Sequence, residues 1–229
     1  MGAEIMPGPF AAFKWEALLR DWEVFAQGFG MTITVSALAL CLALFLGIVF
    51  GLMGTEKNGL FRFVNRCYVE LIQNTPLVIQ IFFFYNGLPY IGVQLPVFWV
   101  GMLGIGIYHG AYVAEVVRAG IQSVPQGQFE AAGAQGFSYT DTMRYIILPQ
   151  AKRLAYPPLT NLAVNLIKNT SVMAMIAGGD LMYHADSWAS ANLYYGPAYV
   201  ATGLLYLAIC FPLAAYAKHL EHKMEVNVL

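Results

Sequence analysis

The segment MTITVSALALCLALFLGIVFGLM, residues 31–53, decides the fold class of this chain. It lies within a longer stretch, between Glu23 and Glu56, that contains no charged residue. About 20 helical residues cross the roughly 30 Å hydrocarbon core of a bilayer. We therefore predict a membrane-spanning helix here. Residues 1–29 lack the basic N-terminal region of a cleaved signal peptide and carry acids such as Glu4 and Glu16. We therefore expect this helix to remain in the protein as a transmembrane span.

The composition supports an integral membrane protein with no separate soluble domain. Of the 229 residues, 59% are hydrophobic and only 11% are charged, whereas soluble domains carry roughly 25% charged residues. The net charge of -1 argues against nucleic acid as a partner. The three cysteines have neither the spacing of a disulfide framework nor that of a metal site.

Four further spans are predicted from gaps between charges and from turn residues. The gap between Glu70 and Glu115 is long enough for two helices, and the turn at residues 86–89 divides it into spans 72–88 and 97–117. Pro157-Pro158 opens span 158–177, which Gly178-Gly179 closes. The last span is 198–217. The prediction is an all-α domain of five transmembrane helices over residues 30–218, preceded by segment 1–29 and followed by tail 219–229.

Basic residues predict the orientation, because loops rich in Lys and Arg stay in the cytoplasm. Nine of them fall after span one, after span three and in the tail: Lys57, Arg62, Arg66, Arg118, Arg144, Lys152, Arg153, Lys218 and Lys223. We therefore place the N-terminal segment outside the cell and the tail in the cytoplasm. Two GxxxG pairs, Gly47–Gly51 and Gly106–Gly110, predict close helix packing.

The long cytoplasmic loop, residues 123–156, reads as a rigid elbow that projects from the bilayer. Residues 126–135 favour a helix, which Gly136 interrupts. Ser138 and Asp141 then resemble the capping box that begins a second helix. We expect Pro149 to end the elbow. An elbow of this kind can transmit force from a cytoplasmic partner to the spans.

The spacing within this loop carries a family resemblance. Glu130-Ala131-Ala132, Gly136, then Ile146, Leu148 and Pro149 reproduce E-A-A-x3-G-x9-I-x-L-P without a gap. This pattern resembles the EAA signature of bacterial ABC-importer permeases. Residues 70–77, 111–115, 123–128 and 166–171 narrow the resemblance to the polar amino-acid subgroup. The alternative is an ordinary surface helix.

The resemblance implies the type I ABC-importer fold in the bacterial inner membrane and a coupling helix that docks on an ATPase. The implied coupling residues are Gln128, Phe129, Glu130, Ala131, Ala132, Gly133, Gly136 and Pro149. It also implies two ABC ATPase subunits, a second permease chain in a homo- or heterodimer, a solute-binding protein outside the cell, and an amino-acid substrate. The chain contains no GxxxxGK[ST] motif, so we expect it not to be an enzyme, and ATP and Mg²⁺ to bind the partner ATPase. No catalytic residue, cofactor or metal site is predicted in this chain.

Polar residues inside the spans are candidates for a substrate pathway, because such residues are costly in lipid. Asn161, Asn165 and Lys168 share one helix face, with Lys168 about 15 Å along the helix from Pro158. Further candidates are Gln80, Glu115 and Arg118. Glu115 and Arg118 could instead form a boundary pair, and Lys168 could neutralise Glu115. The absence of an acid on the span-four face favours glutamate, aspartate or glutamine as the substrate.

A second function class is an ion-coupled carrier or channel of similar topology, which would have no use for the elbow. A membrane-embedded enzyme is a third, but HExxH and GxSxG motifs are absent from the sequence.

Overall fold

The computed structural model describes residues 8–226, with side chains as far as residue 221, and within this part every regular element is a helix. Ten α-helices follow one another along it: α1 Ala12–Arg20, α2 Trp22–Thr55, α3 Gly59–Gln73, α4 Leu77–Phe82, α5 Val97–Gln122, α6 Gln126–Ala134, α7 Tyr139–Asp141, α8 Leu148–Asn169, α9 Leu181–Asn192 and α10 Tyr195–Val226. Short π or 3-10 turns continue α4, join α7 to α8 and follow α8, at Phe83–Gly87, Leu88–Ile91, Thr142–Ile147 and Thr170–Ile176.

Three helices, α2, α5 and α10, are long and apolar enough to cross a membrane. Helix α3 together with Leu77–Ile91 forms a fourth candidate that is bent by 99°. Helix α8 does not meet the same criterion of length and composition. It carries several charges, including Lys152, Arg153 and Lys168. The five-span count and its exact bounds therefore stay predictions.

The chain turns sharply between α3 and α4, at the start of the predicted span 72–88. Pro76 precedes α4, and because it has no amide hydrogen it cannot continue the backbone hydrogen bonds of α3. The side-chain amide of Gln80 stabilises the bend: its Nε2 donates to the carbonyl of Ile72 at 2.9 Å and to Oγ1 of Thr75 at 2.8 Å. The helix that contains the predicted span one is longer than that span, since α2 begins at Trp22.

The structure corrects the expectations for Pro149 and for Pro157-Pro158. Pro149 does not end the elbow, because it is the second residue of α8, which directly follows the π-helical turn Thr142–Ile147. Pro157 and Pro158 do not begin a helix, because both lie inside α8. Residues 139–169 are thus helical without interruption. The predicted span end at 177 lies beyond α8, which ends at Asn169 before a 3-10 turn.

The central contact is between α2 and α5, and glycines make it close. A methyl group on Gly51 would lie 2.8 Å from the carbonyl oxygen of Ala114 on α5. On the opposite helix, a methyl group on Gly106 would lie 2.7 Å from Cδ2 of Leu42. Both GxxxG pairs therefore lie at the seam, as the sequence predicted.

A second packing unit joins α1 and α9 to the first turns of α2 and α10, on the side predicted to lie outside the cell. Phe25, Leu181 and Trp188 are buried there. The indole N–H of Trp188 donates to a carboxylate oxygen of Asp21 at 2.9 Å. The pKa of Asp21 is lowered mainly by this bond and, to a smaller extent, by the hydrogen bond from Arg20.

Candidate functional site

The elbow ends its first helix with a left-handed glycine. Gly136 has a φ of +81°, a conformation that glycine adopts without the steric cost that other residues meet. Its N–H donates to the carbonyl oxygen of Gly133 at 3.0 Å, and the N–H of Phe137 donates to the carbonyl oxygen of Ala132 at 3.1 Å. These two bonds form the Schellman motif. The predicted interruption at Gly136 is therefore a defined turn of the chain.

The second arm of the elbow begins with the predicted cap. The amide N–H of Asp141 donates to Oγ of Ser138 at 3.2 Å, and the Ser138 hydroxyl donates to the Asp141 carboxylate at 2.6 Å. Tyr139, next to this cap, lies near Thr55 and Glu56 at the end of α2, and partial burial raises its pKa. The cap places the second arm against the cytoplasmic end of α2.

Helix α6 has one packed face and one exposed face. Ala132 is buried, and Phe129 packs against a small core built from α5, the following turn and the π-helical turn. The members of this core are Ile121, Val124, Met143, Ile147 and Ala151. The remaining candidate residues of the elbow are exposed: Gln128, Glu130, Ala131, Gly133, Gly136 and Pro149. The exposed face is thus the surface that a cytoplasmic partner could contact, whereas Phe129 and Ala132 hold the elbow to the spans.

The polar face of α8 is exposed on this single chain. Asn161, Asn165 and Lys168 are all accessible, and the amide of Asn161 donates to Glu221 of α10 at 2.9 Å. Lys168 has no carboxylate within salt-bridge distance among the described side chains. A cation at membrane depth normally faces a water-filled cavity or the interior of a helix bundle. The described part of the chain leaves this face largely open.

Glu115 and Arg118 pair with each other on α5. The Arg118 guanidinium donates from Nη2 and Nε to the two oxygens of Glu115, at 2.6 and 3.1 Å. This geometry answers the question that the sequence left open, because Arg118 and not Lys168 neutralises Glu115. The pair lines a polar cleft with α3. Gln80 lies elsewhere, buried at the α3–α4 bend, so the structure does not bring the six pathway candidates to one place.

The sequence missed two polar features. One is the row of polar side chains on α3 that lines the cleft opposite Glu115 and Arg118. Their signal was the helical spacing of residues 62, 65, 66, 70 and 73, in a segment that the sequence analysis treated mostly as a loop. The other is Asp180, which caps α9 by accepting from the amide of Met182 at 3.0 Å. It is fully buried, and burial raises its pKa to about 6.

Apolar helices around a glycine-packed seam, with a capped elbow on the side rich in Lys and Arg, define a multi-pass membrane protein. Comparison with known proteins identifies the family. Residues 24–226 match the family described as binding-protein-dependent transport system inner membrane component, and the chain belongs to it. The chain is therefore a permease component of a bacterial ABC importer, located in the inner membrane.

Two curated relatives illustrate the similarity. The chain is 39% identical over 208 residues to the probable glutamine ABC transporter permease protein GlnM of Bacillus subtilis (strain 168), covering 91% of this chain and 96% of that protein. It is 31% identical over 216 residues to the L-cystine transport system permease protein TcyB of the same organism, covering 93% and 92%.

A solved structure extends the similarity to three dimensions. The structure of an amino acid ABC transporter with histidines matches with a TM-score of 0.84 and 31% identity, over 91% of this chain and 98% of that chain. The inward-facing MetNI methionine ABC transporter shares the fold, with a TM-score of 0.71 at 15% identity over 88% and 98% of the two chains. The predicted type I importer fold is confirmed.

Proposed function

We propose that this chain forms half of the translocation pathway for a polar L-amino acid and is driven by separate ATPase subunits. The observation that carries the proposal is the two-faced helix α6. Its exposed face carries Glu130, and its packed face reaches the ends of α5 and α8. A partner that moves α6 would therefore move the spans with it.

The partners follow from the same geometry and from the family. Two ATPase subunits would bind ATP and Mg²⁺, and each would receive the exposed face of one α6 elbow. A second permease chain, the same or a similar one, would cover the polar face of α8. A solute-binding protein would deliver the substrate to the side of α1 and α9.

The substrate class rests on the relatives and on the polar residues of the spans. The names of relatives include glutamine and L-cystine, both of which are amino acids. In the proposed pathway Lys168 would meet the substrate carboxylate, and Asn161 and Asn165 would line the same path. Glutamine, glutamate and aspartate are favoured because α8 places no carboxylate on the face that carries these three residues. Gln80 would act indirectly, by holding the bend between α3 and α4.

The decisive experiment reverses one charge on the exposed face of α6. Glu130→Lys is expected to abolish pull-down of the ATPase and amino-acid uptake while leaving membrane insertion unchanged. Glu130 makes one side-chain hydrogen bond, from Gln126 at 3.0 Å, so the change should leave the packed face intact. The matched control is Glu16→Lys, the same reversal on the exposed surface of α1. Survival of both pull-down and uptake in Glu130→Lys would refute the coupling role.

A further inference from the structure

The proposed pathway gives no role to a cleft that lies between α3 and α5. Its volume is about 480 Å³, within the range of roughly 300–1,000 Å³ found for small-molecule sites. It lies at the end of the bundle that the basic residues place in the cytoplasm. The lining residues are Gly54, Arg62, Asn65, Arg66, Val69, Glu70, Gln73, Glu115, Arg118 and Gln122.

The charges of this cleft are mixed rather than of one sign. It contains three arginines and two glutamates. Arg118 is fully engaged with Glu115, whereas Arg66 approaches Glu70 only to 3.6 Å with both side chains largely exposed. Arg62 has no carboxylate within salt-bridge distance among the described side chains. The cleft thus offers the Arg62 guanidinium without a carboxylate partner and, about two helical turns along α3, the Glu70 carboxylate, which Arg66 holds only loosely.

The wall of the cleft is well packed. Asn65 is buried beside Gly54, where an added methyl group would lie 2.7 Å from Nδ2 of Asn65. Gln73 donates from Nε2 to the carbonyl oxygen of Ala111 at 3.3 Å, which orients its amide. The outer face of α3 carries exposed apolar side chains, including Phe63 and Leu71. Because that face is suited to lipid, the polar face is held toward α5.

We propose that this cleft is a weak binding site for the α-carboxylate and α-ammonium groups shared by all L-amino acids, used as a release site at the cytoplasmic end of the permease. Arg62 binds the carboxylate, and Glu70 binds the ammonium group. The inference rests on the proposed importer function. Inorganic phosphate or an anionic lipid headgroup would gain from Arg62 but would be repelled by Glu70, while the Glu115–Arg118 pair is neutral. A zwitterion meets both signs favourably.

The test measures equilibrium binding of radiolabelled L-glutamine to the complete transporter in nanodiscs, without the solute-binding protein. Arg62→Ala is expected to weaken binding at least about 10-fold, the effect of losing roughly 1.4 kcal/mol. Glu70→Gln, which keeps the shape, should weaken it severalfold, and Arg62→Lys should restore part of it. The control is Arg153→Ala, an exposed arginine of α8 that does not line the cleft. Glycine should compete with glutamine, whereas butyrate, butylamine and inorganic phosphate should not.

Several results would overturn the proposal. They are absence of glutamine binding to the wild-type transporter, equal binding by wild type and the Arg62 and Glu70 variants, and displacement of glutamine by phosphate or by anionic lipid. The importer function is judged separately, from ATPase pull-down and amino-acid uptake. If Glu130→Lys abolishes both while the Arg62 variants bind glutamine normally, the release site is wrong and the importer assignment stands.

Discussion

Replacement of Gly51 by alanine should loosen the contact between α2 and α5 on which the whole bundle depends. The new methyl carbon would lie 2.7 Å from Cβ of Val117 and 2.8 Å from the carbonyl oxygen of Ala114. Ordinary van der Waals contacts of a Cβ atom lie at 3.4–4 Å. The atom opposite is part of the backbone and cannot rotate away, so the helices must separate by about half an ångström.

The expected magnitude follows from two opposing terms. Overpacking costs about 1–3 kcal/mol, and a close backbone atom places this site toward the upper end. Alanine in place of glycine inside a helix contributes about 1 kcal/mol in the other direction. The net loss in the free energy of unfolding is therefore about 1–2 kcal/mol. For a chain of this length that corresponds to a Tm about 2–8 °C lower.

The assay is thermal unfolding of the purified permease in detergent, followed by intrinsic fluorescence. Gly30→Ala is the matched control, because it lies in the same helix and a methyl group there would meet no atom within 4 Å. That variant should melt at or slightly above the wild-type Tm. Equal Tm values for Gly51→Ala and Gly30→Ala would show that the glycine seam does not govern the stability of the bundle.

Two further predictions concern Asp180 and Lys168. Burial raises the pKa of Asp180 from 3.8 to about 6, so the stability linked to its proton is fully present below about pH 4 and is lost as the pH rises through 6. Asp180→Asn, which preserves the helix cap, should abolish that loss. At pH 8 its free energy of unfolding should exceed that of the wild type by about 3 kcal/mol at most, and its Tm should be higher, whereas at pH 4 the two should be equal. A difference that does not depend on pH would contradict this prediction. Lys168→Ala should impair uptake while ATPase pull-down is unchanged, and Lys168→Arg should retain more uptake; unchanged transport kinetics for the alanine variant would remove Lys168 from the pathway.

The elements that the sequence predicted well are those with strong local signals. A charge-free apolar run predicted α2, and Gly136 and Ser138 predicted the turn of the elbow and the start of its second arm. The glycine pairs were found because small residues four apart have a single common use in membrane helices. Each of these features depends on residues that are near one another in the sequence.

The errors arose where tertiary contacts override local signals. Prolines were read as helix ends, but Pro157 and Pro158 lie within α8, where neighbouring helices can accommodate the lost backbone bonds. The bend after α3 depends on Gln80, whose side chain bonds to a carbonyl eight residues earlier. Helix α3 was missed because its charged residues resemble those of a cytoplasmic loop, although its apolar residues recur at helical spacing. The cleft residues were therefore missed together with it.

The uninterrupted helix from residue 139 to residue 169 changes how force would pass through the molecule. With a helix end at Pro149, the elbow would join the spans through a loop, and motion of α6 could be absorbed there. The structure instead continues the second arm of the elbow directly into the helix that carries Lys168. At the far end, Nδ1 of His109 donates to the carbonyl of Ile105 at 3.0 Å, which leaves Nε2 to accept from the amide of Asn169 at 3.2 Å. Because α8 contacts α5 at both ends, a displacement of α6 in the proposed mechanism would move the two helices as a pair and carry the polar face of α8 with them.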